Sequence, residues 1–148
     1  MGLYFHQFTI GDRYTSRSRR MTEADLDTFN EFARDNHPLH SDAEFAKSSI
    51  FGQRVFHASA AIALVDGFIG EMGITRLTGL AILGVEWSAK TAIVIGDLVK
   101  LTALVEGKRL TAAGGRGVVH LQVALSNERS DIIGDGRWTM LVADRDNV

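Results

Sequence analysis

The sequence has no cysteine and a single proline, Pro38. Without cysteine there is no disulfide, no thiol nucleophile and no zinc–thiolate centre, and the redox compartment is left unread. An excess of charge of one sign is also missing. Lys and Arg number 16 against 18 Asp and Glu, for a formal net charge of −2. A near-neutral chain lacks the basic footprint of a nucleic-acid binder. No apolar run reaches the roughly 20 residues that cross a bilayer, and the most apolar stretch, residues 55–69, contains His57 and Asp66. The opening residues show no cationic start followed by an apolar core. The expectation is therefore a cytoplasmic protein with no membrane partner and no nucleic-acid partner. Low-complexity tracts, linkers and internal repeats are absent. A length of 148 residues suits one domain, expected over 1–148. With 45% hydrophobic and 23% charged residues, the composition excludes disordered and collagen-like chains.

What is present falls into a helical half and a strand half. Gly11-Asp12 marks a turn, and residues 13–21 read as an exposed edge strand. Thr22 with Asp25 three residues on resembles a capping box. Leu26, Phe29, Phe32 and Ala33 then follow at helical spacing. That helix must end before Pro38, because a residue preceding proline avoids the α region. Ser41 or Asp42 can cap a short helix over 43–48, and Gly52 permits a sharp turn. Residues 55–71 read as one long helix buried on all sides. Strands are expected over 80–87, 97–105, 117–125 and 137–142, with glycines 107, 114, 115, 117, 134 and 136 in hairpin loops. In the second strand Leu98, Lys100, Thr102 and Leu104 alternate with Val99, Leu101, Ala103 and Val105. Strands grouped after helices indicate an α+β fold with an antiparallel sheet packed on helices. A helix this apolar needs more cover than one subunit supplies, so a homodimer or higher homo-oligomer is expected.

The densest polar cluster is Asp35-Asn36-His37-Pro38-Leu39-His40-Ser41-Asp42. Proline fixes its own φ and stiffens the segment. A stiff segment can hold a carboxylate and an imidazole in one geometry, which acid/base chemistry requires. Three readings stand at this point. The cluster can be a capped loop with Asp42 as N-cap. It can be a metal site using Asp35, His37, His40 and Asp42, although the spacing fits no standard zinc pattern. It can be an Asp/His acid/base pair.

The segment Asp35-Asn36-His37-Pro38-Leu39-His40 resembles the hydratase motif of the MaoC-like dehydratases, the (R)-specific enoyl-CoA hydratases. Their pattern is Asp, any residue, Asn or sometimes His, Pro, an aliphatic residue, His. Asp42-Ala43-Glu44-Phe45-Ala46, Phe51-Gly52-Gln53-Arg54-Val55-Phe56-His57 and Gly96-Asp97 are similar to the family as well. The resemblance runs from about residue 3 to about residue 143. It implies a hot dog fold, a curved antiparallel sheet wrapped around a long central helix, usually paired as a homodimer.

The resemblance also implies the activity: hydration of trans-2-enoyl-CoA to (3R)-3-hydroxyacyl-CoA or the reverse, in fatty acid metabolism. Asp35 and His40 become the catalytic pair, and the backbone N–H of Ala58 becomes the oxyanion donor. Asn36, His37, Pro38, Gly52 and His57 become supporting residues, and Arg54 and Ser59 further candidates for substrate contact. No metal and no cofactor are implied, coenzyme A being part of the substrate; an acyl-carrier-protein thioester is the alternative. Three positions depart from the family pattern. Ala58 stands for a glycine, His37 for the commoner asparagine, and Arg34 for a small residue, where it can pair with Asp35 or equally point into solvent and contact the coenzyme phosphates. The rival activities are a thioesterase using Asp66 and a non-catalytic acyl-thioester binder. Trp87 and Trp138 read as core or interface residues.

Overall fold

A computed structural model describes residues 1–145. The last three residues of the expected 1–148 domain lie outside the described residues. After a single helical turn at Phe5–Gln7 come strands β1 (Arg13–Thr15) and β2 (Arg19–Arg20). Helices α1 (Glu23–Ala33), α2 (Pro38–Ser41), α3 (Ala43–Lys47) and α4 (Ala58–Met72) follow. Four long strands complete the fold: β3 (Gly79–Ala89), β4 (Leu98–Leu110), β5 (Arg116–Ser126) and β6 (Ile132–Ala143). All pairings are antiparallel, in the order β1-β4-β5-β6-β3, with β2 also on β4. The α+β reading holds.

The alternation in β4 resolves as the physics of a one-sided sheet requires. Val99, Leu101, Ala103 and Val105 are fully buried. They join Leu121, Val123 and Leu125 of β5, Trp138 and Met140 of β6, and Val65, Phe68 and Ile69 of α4 in one core. α4 is not buried on all sides. Ala60, Ala61, Val65, Phe68 and Ile69 face inward, whereas Ala63, Asp66 and Gly67 are exposed in the single chain. The helix also begins three residues later than expected. Val55 bridges Val94, and the Phe56 N–H donates to the Ile93 carbonyl (2.9 Å), so residues 55–57 are held extended before α4 starts.

Two more expectations are corrected. The edge strand over 13–21 is two short strands, because Ser16 interrupts the ladder: its hydroxyl accepts the Leu101 N–H at 2.8 Å. Glycines 107, 117, 134 and 136 sit inside strands, and Gly114 and Gly115 alone of that set make the hairpin turn, both at positive φ. The strand glycines of β6 are there for close approach. A Cβ on Gly136 would strike the Glu86 carbonyl of β3, and one on Gly134 would strike the Trp87 ring.

Candidate active site

The site begins with the way α1 is started and stopped. Thr22 caps it: the hydroxyl accepts the Asp25 N–H at 3.1 Å, and the Asp25 carboxylate accepts the Thr22 N–H at 2.9 Å. Burial acts to raise the Asp25 carboxyl. The backbone and hydroxyl bonds of Thr22 and the Arg19 guanidinium together outweigh that and hold it below its ordinary value. At the other end Arg34 sits in the left-handed region (φ 56°), which costs a non-glycine residue about 1–2 kcal/mol. That residue turns the chain off the helix axis and delivers Asp35 to the mouth of the site. Arg34 is not the ion-pairing neighbour of Asp35 among the described residues; His57 is, at 3.8 Å.

Pro38 opens α2 at its first position, where its missing N–H costs nothing. The segment read as a loop is therefore a helical turn, and it carries His40. The His40 Nδ1 lies 2.7 Å from the Val55 carbonyl. A carbonyl can only accept, so the proton is on Nδ1 and Nε2 of the neutral ring carries the free lone pair. The His40 carbonyl is held by Asn30 Nδ2 (3.1 Å) and Arg54 (3.4 Å). Val55 N–H in turn donates to the Leu39 carbonyl.

His57 joins the pair from the start of α4. Its ring stacks on His40 with centroids 3.7 Å apart, and Phe29 covers it at 4.9 Å. Its Nε2 lies 3.0 Å from the Asp35 carbonyl, so that nitrogen donates and Nδ1 is unprotonated in the neutral ring. Nδ1 is buried with no hydrogen-bond partner among the described residues. One oxygen of Asp35 and one ring nitrogen each of His40 and His57 lie within 4.8 Å of one another. Residues 22 apart in sequence are thus brought to one point.

The other expected residues take definite places. Asn36 gives its carbonyl to the Ser41 hydroxyl (2.9 Å). His37 caps α2, its Nδ1 accepting the Leu39 N–H. Asp42 caps α3, accepting from Glu44 and Phe45. Among the described residues the four-ligand metal set of Asp35, His37, His40 and Asp42 is not assembled: the group that converges is Asp35, His40 and His57, while His37 and Asp42 cap α2 and α3. Gly52 takes a positive φ in the turn after α3. Arg54 pairs with Glu23 (2.8 Å) and Asp27 (3.0 Å) of α1, which makes it a clamp between α1 and the His40 turn. Ser59 is exposed and does not line the cleft. Asp66 is engaged: its carboxylate accepts the Trp138 indole N–H at 2.7 Å.

A cleft of about 300 Å³ opens beside the pair, lined by His40, His57, Ala58, Ala61, Trp87 and Phe56 among others. Its walls are mostly apolar with a few convergent polar groups, the usual character of a small-molecule site. His57 provides no side-chain cap for α4, so the N–H groups of the first turn, Ala58 included, are left uncapped by it. Asn30 and the stacking of His57 were missed in the sequence. Asn30 did carry a signal, a polar residue one turn after Leu26 on the apolar face of α1.

A family model described as a MaoC like domain matches residues 6–126. The chain belongs to the MaoC-like dehydratase family. An (R)-specific enoyl-CoA hydratase of Rhodospirillum rubrum is 30% identical over 106 residues, covering 70% of each chain. The protein MaoC of Klebsiella aerogenes is 34% identical over 71 residues, 48% of this chain and 21% of that protein, so this chain spans a small part of that relative. The crystal structure of a MaoC-like dehydratase from Rhodospirillum rubrum superposes with a TM-score of 0.89 at 23% identity, covering 97% of this chain and 99% of the other. The curved sheet around α4 is accordingly a hot dog fold. Among the described residues no helix is long and apolar enough to cross a membrane.

Proposed function

We propose that this MaoC-like protein hydrates trans-2-enoyl-CoA thioesters to (3R)-3-hydroxyacyl-CoA and catalyses the reverse dehydration. The observation that carries the reading is the Asp35 carboxylate and the His40 ring converging beside an apolar cleft. A spacing within 4.8 Å suits one water bridging carboxylate and imidazole. The pair takes a proton from that water as its oxygen adds to C3. The proton returns to C2, so water and the enoyl thioester supply every atom and no electron acceptor is needed. Negative charge on the thioester oxygen is received by the Ala58 N–H at the start of α4, where uncapped donors and the helix dipole favour an anion. The reaction runs without metal or cofactor, and activity is expected to survive exhaustive chelation.

The thioesterase reading is less well supported, because Asp66 is engaged by the Trp138 indole. Crotonyl-CoA separates the two. Loss of enoyl absorbance without free thiol is expected; free thiol without hydration would sink the hydratase. We also propose that the working unit is a pair of copies joined along β3. It is the sheet's edge strand, and it leaves Leu80, Ile82, Leu83 and Val85 exposed, a face that isolated chains seldom leave bare. Light scattering that returns the mass of one chain would overturn that.

A further inference from the structure

The cleft beside His40 has a neighbour. A second cavity of about 330 Å³ lies between α1 and α4, lined by Phe29, Phe32, Ala60, Leu64 and Phe68. Phe56 lines both. Its ring is buried, and its backbone is fixed by the bond to Ile93 (2.9 Å). Ala60 faces the second cavity and Ala61 the cleft, as successive helical residues do when they point about 100° apart. The first turn of α4 and the Phe56 ring therefore form a partition between two apolar spaces.

The opposite wall differs. Trp87 also lines the cleft, but solid core stands behind it. Trp138 meets it edge-on at 5.8 Å and is itself tied to Asp66. Gly134 has no room even for a Cβ beside the Trp87 ring. A cleft of about 300 Å³ is at the small end for ligand sites. The wall that has apolar space behind it is Phe56.

We propose that Phe56 is a specificity-determining residue that confines the cleft to short acyl chains by closing it off from the second cavity. The proposal rests on the acyl-thioester reading above and names its substrate class: short, unbranched enoyl thioesters. Shortening the side chain joins the two spaces and lets a longer chain pass between Ala60 and Phe29. An apolar pocket discriminates by about 10–200-fold per methylene at most, so the partition acts on the ratio between chain lengths and leaves the acid/base pair untouched.

The test compares wild type, Phe56→Leu and Phe56→Ala on crotonyl-CoA and trans-2-octenoyl-CoA, with thermal midpoints recorded. Wild type should favour crotonyl-CoA in kcat/KM by about tenfold or more. Both variants should shift the ratio toward octenoyl-CoA, Phe56→Ala by on the order of tenfold. Phe56→Ala leaves a void and can fail to fold; Phe56→Leu keeps most of the volume and then decides. A folded Phe56→Leu with the wild-type ratio overturns the partition, as does a wild type equally fast on both. Binding of butyryl-CoA and octanoyl-CoA to the same proteins is measured in parallel. If no enoyl-CoA is hydrated, the hydratase reading fails, and the binding ratio still shows whether Phe56 selects chain length.

Discussion

Residues 22–57 and residues 79–143 are held together by different forces. In the strand half, long antiparallel ladders and a core of fully buried side chains do the work. In the helical half α2 buries no residue and α3 buries only Ala46. That half depends on directed polar contacts: the Arg54 clamp to Glu23 and Asp27, Asn30 on the His40 carbonyl, and His40 on the Val55 carbonyl. Burial is non-directional and tolerates small shifts, whereas hydrogen bonds fix angles and distances. The contrast places the candidate chemistry beside a segment, α2 and α3, that buries little. The two properties should therefore separate under mutation.

The largest expected effect is on rate. Asp35→Asn and His40→Ala should each cost about 10²–10⁴-fold in crotonyl-CoA hydration with nearly unchanged thermal midpoints. Full activity in either variant refutes the assigned roles, and a collapsed midpoint would erase the contrast. The reverse case is Trp138→Ala, which opens the core and strips Asp66 of its partner. It should lose about 3–5 kcal/mol in urea unfolding. A loss below about 1 kcal/mol would show that the strand half is not the stability centre.

Arg54→Ala sharpens the boundary between the halves. Its acidic partners are mostly exposed, so the ion pairs themselves are worth about 0–1 kcal/mol. Removing the clamp leaves the His40 carbonyl to Asn30 alone, and a misplaced base can cost up to about 10²-fold in kcat. The expectation is a fall in kcat well beyond the shift in midpoint; a purely structural role would move the midpoint alone. The smallest effect belongs to the α1 cap. Thr22→Ala should cost about 1 kcal/mol at neutral pH. Asp25 is held below its ordinary 3.8, so its contribution is present above that value and is lost as pH falls through the lower folded value. The difference between wild type and Thr22→Ala should shrink in acid, and urea midpoints at neutral pH and well below 3.8 would reveal a constant difference if the linkage is wrong.

Much of this was legible in the residues. The Thr22–Asp25 cap, the alternation of β4 and the order of elements follow from local rules, which act over a few residues, and the Asp35-to-His40 segment stood out by its resemblance to the family motif. The errors share one cause. Gly134 and Gly136 read as turn formers because glycine punctuates chains, yet their role is steric clearance from Trp87 and Glu86 on another strand. Residues 55–57 read as helix because they are apolar, yet Ile93 and Val94 hold them extended. Arg54 read as a candidate for substrate contact, yet Glu23 and Asp27 reach it across the fold.

The sequence by itself determined which groups are available for chemistry. Lacking cysteine, the chain offers a carboxylate and imidazoles, and its single proline lies between the two candidate residues, Asp35 and His40. Only the tertiary structure decided what surrounds them. His57 stacks on His40 and binds the Asp35 carbonyl because α4 starts where the extended residues 55–57 end. Phe56 divides two cavities because that same segment is pinned to Ile93. Both depend on which backbone groups meet across the fold, and no pattern along the chain encodes such a meeting locally.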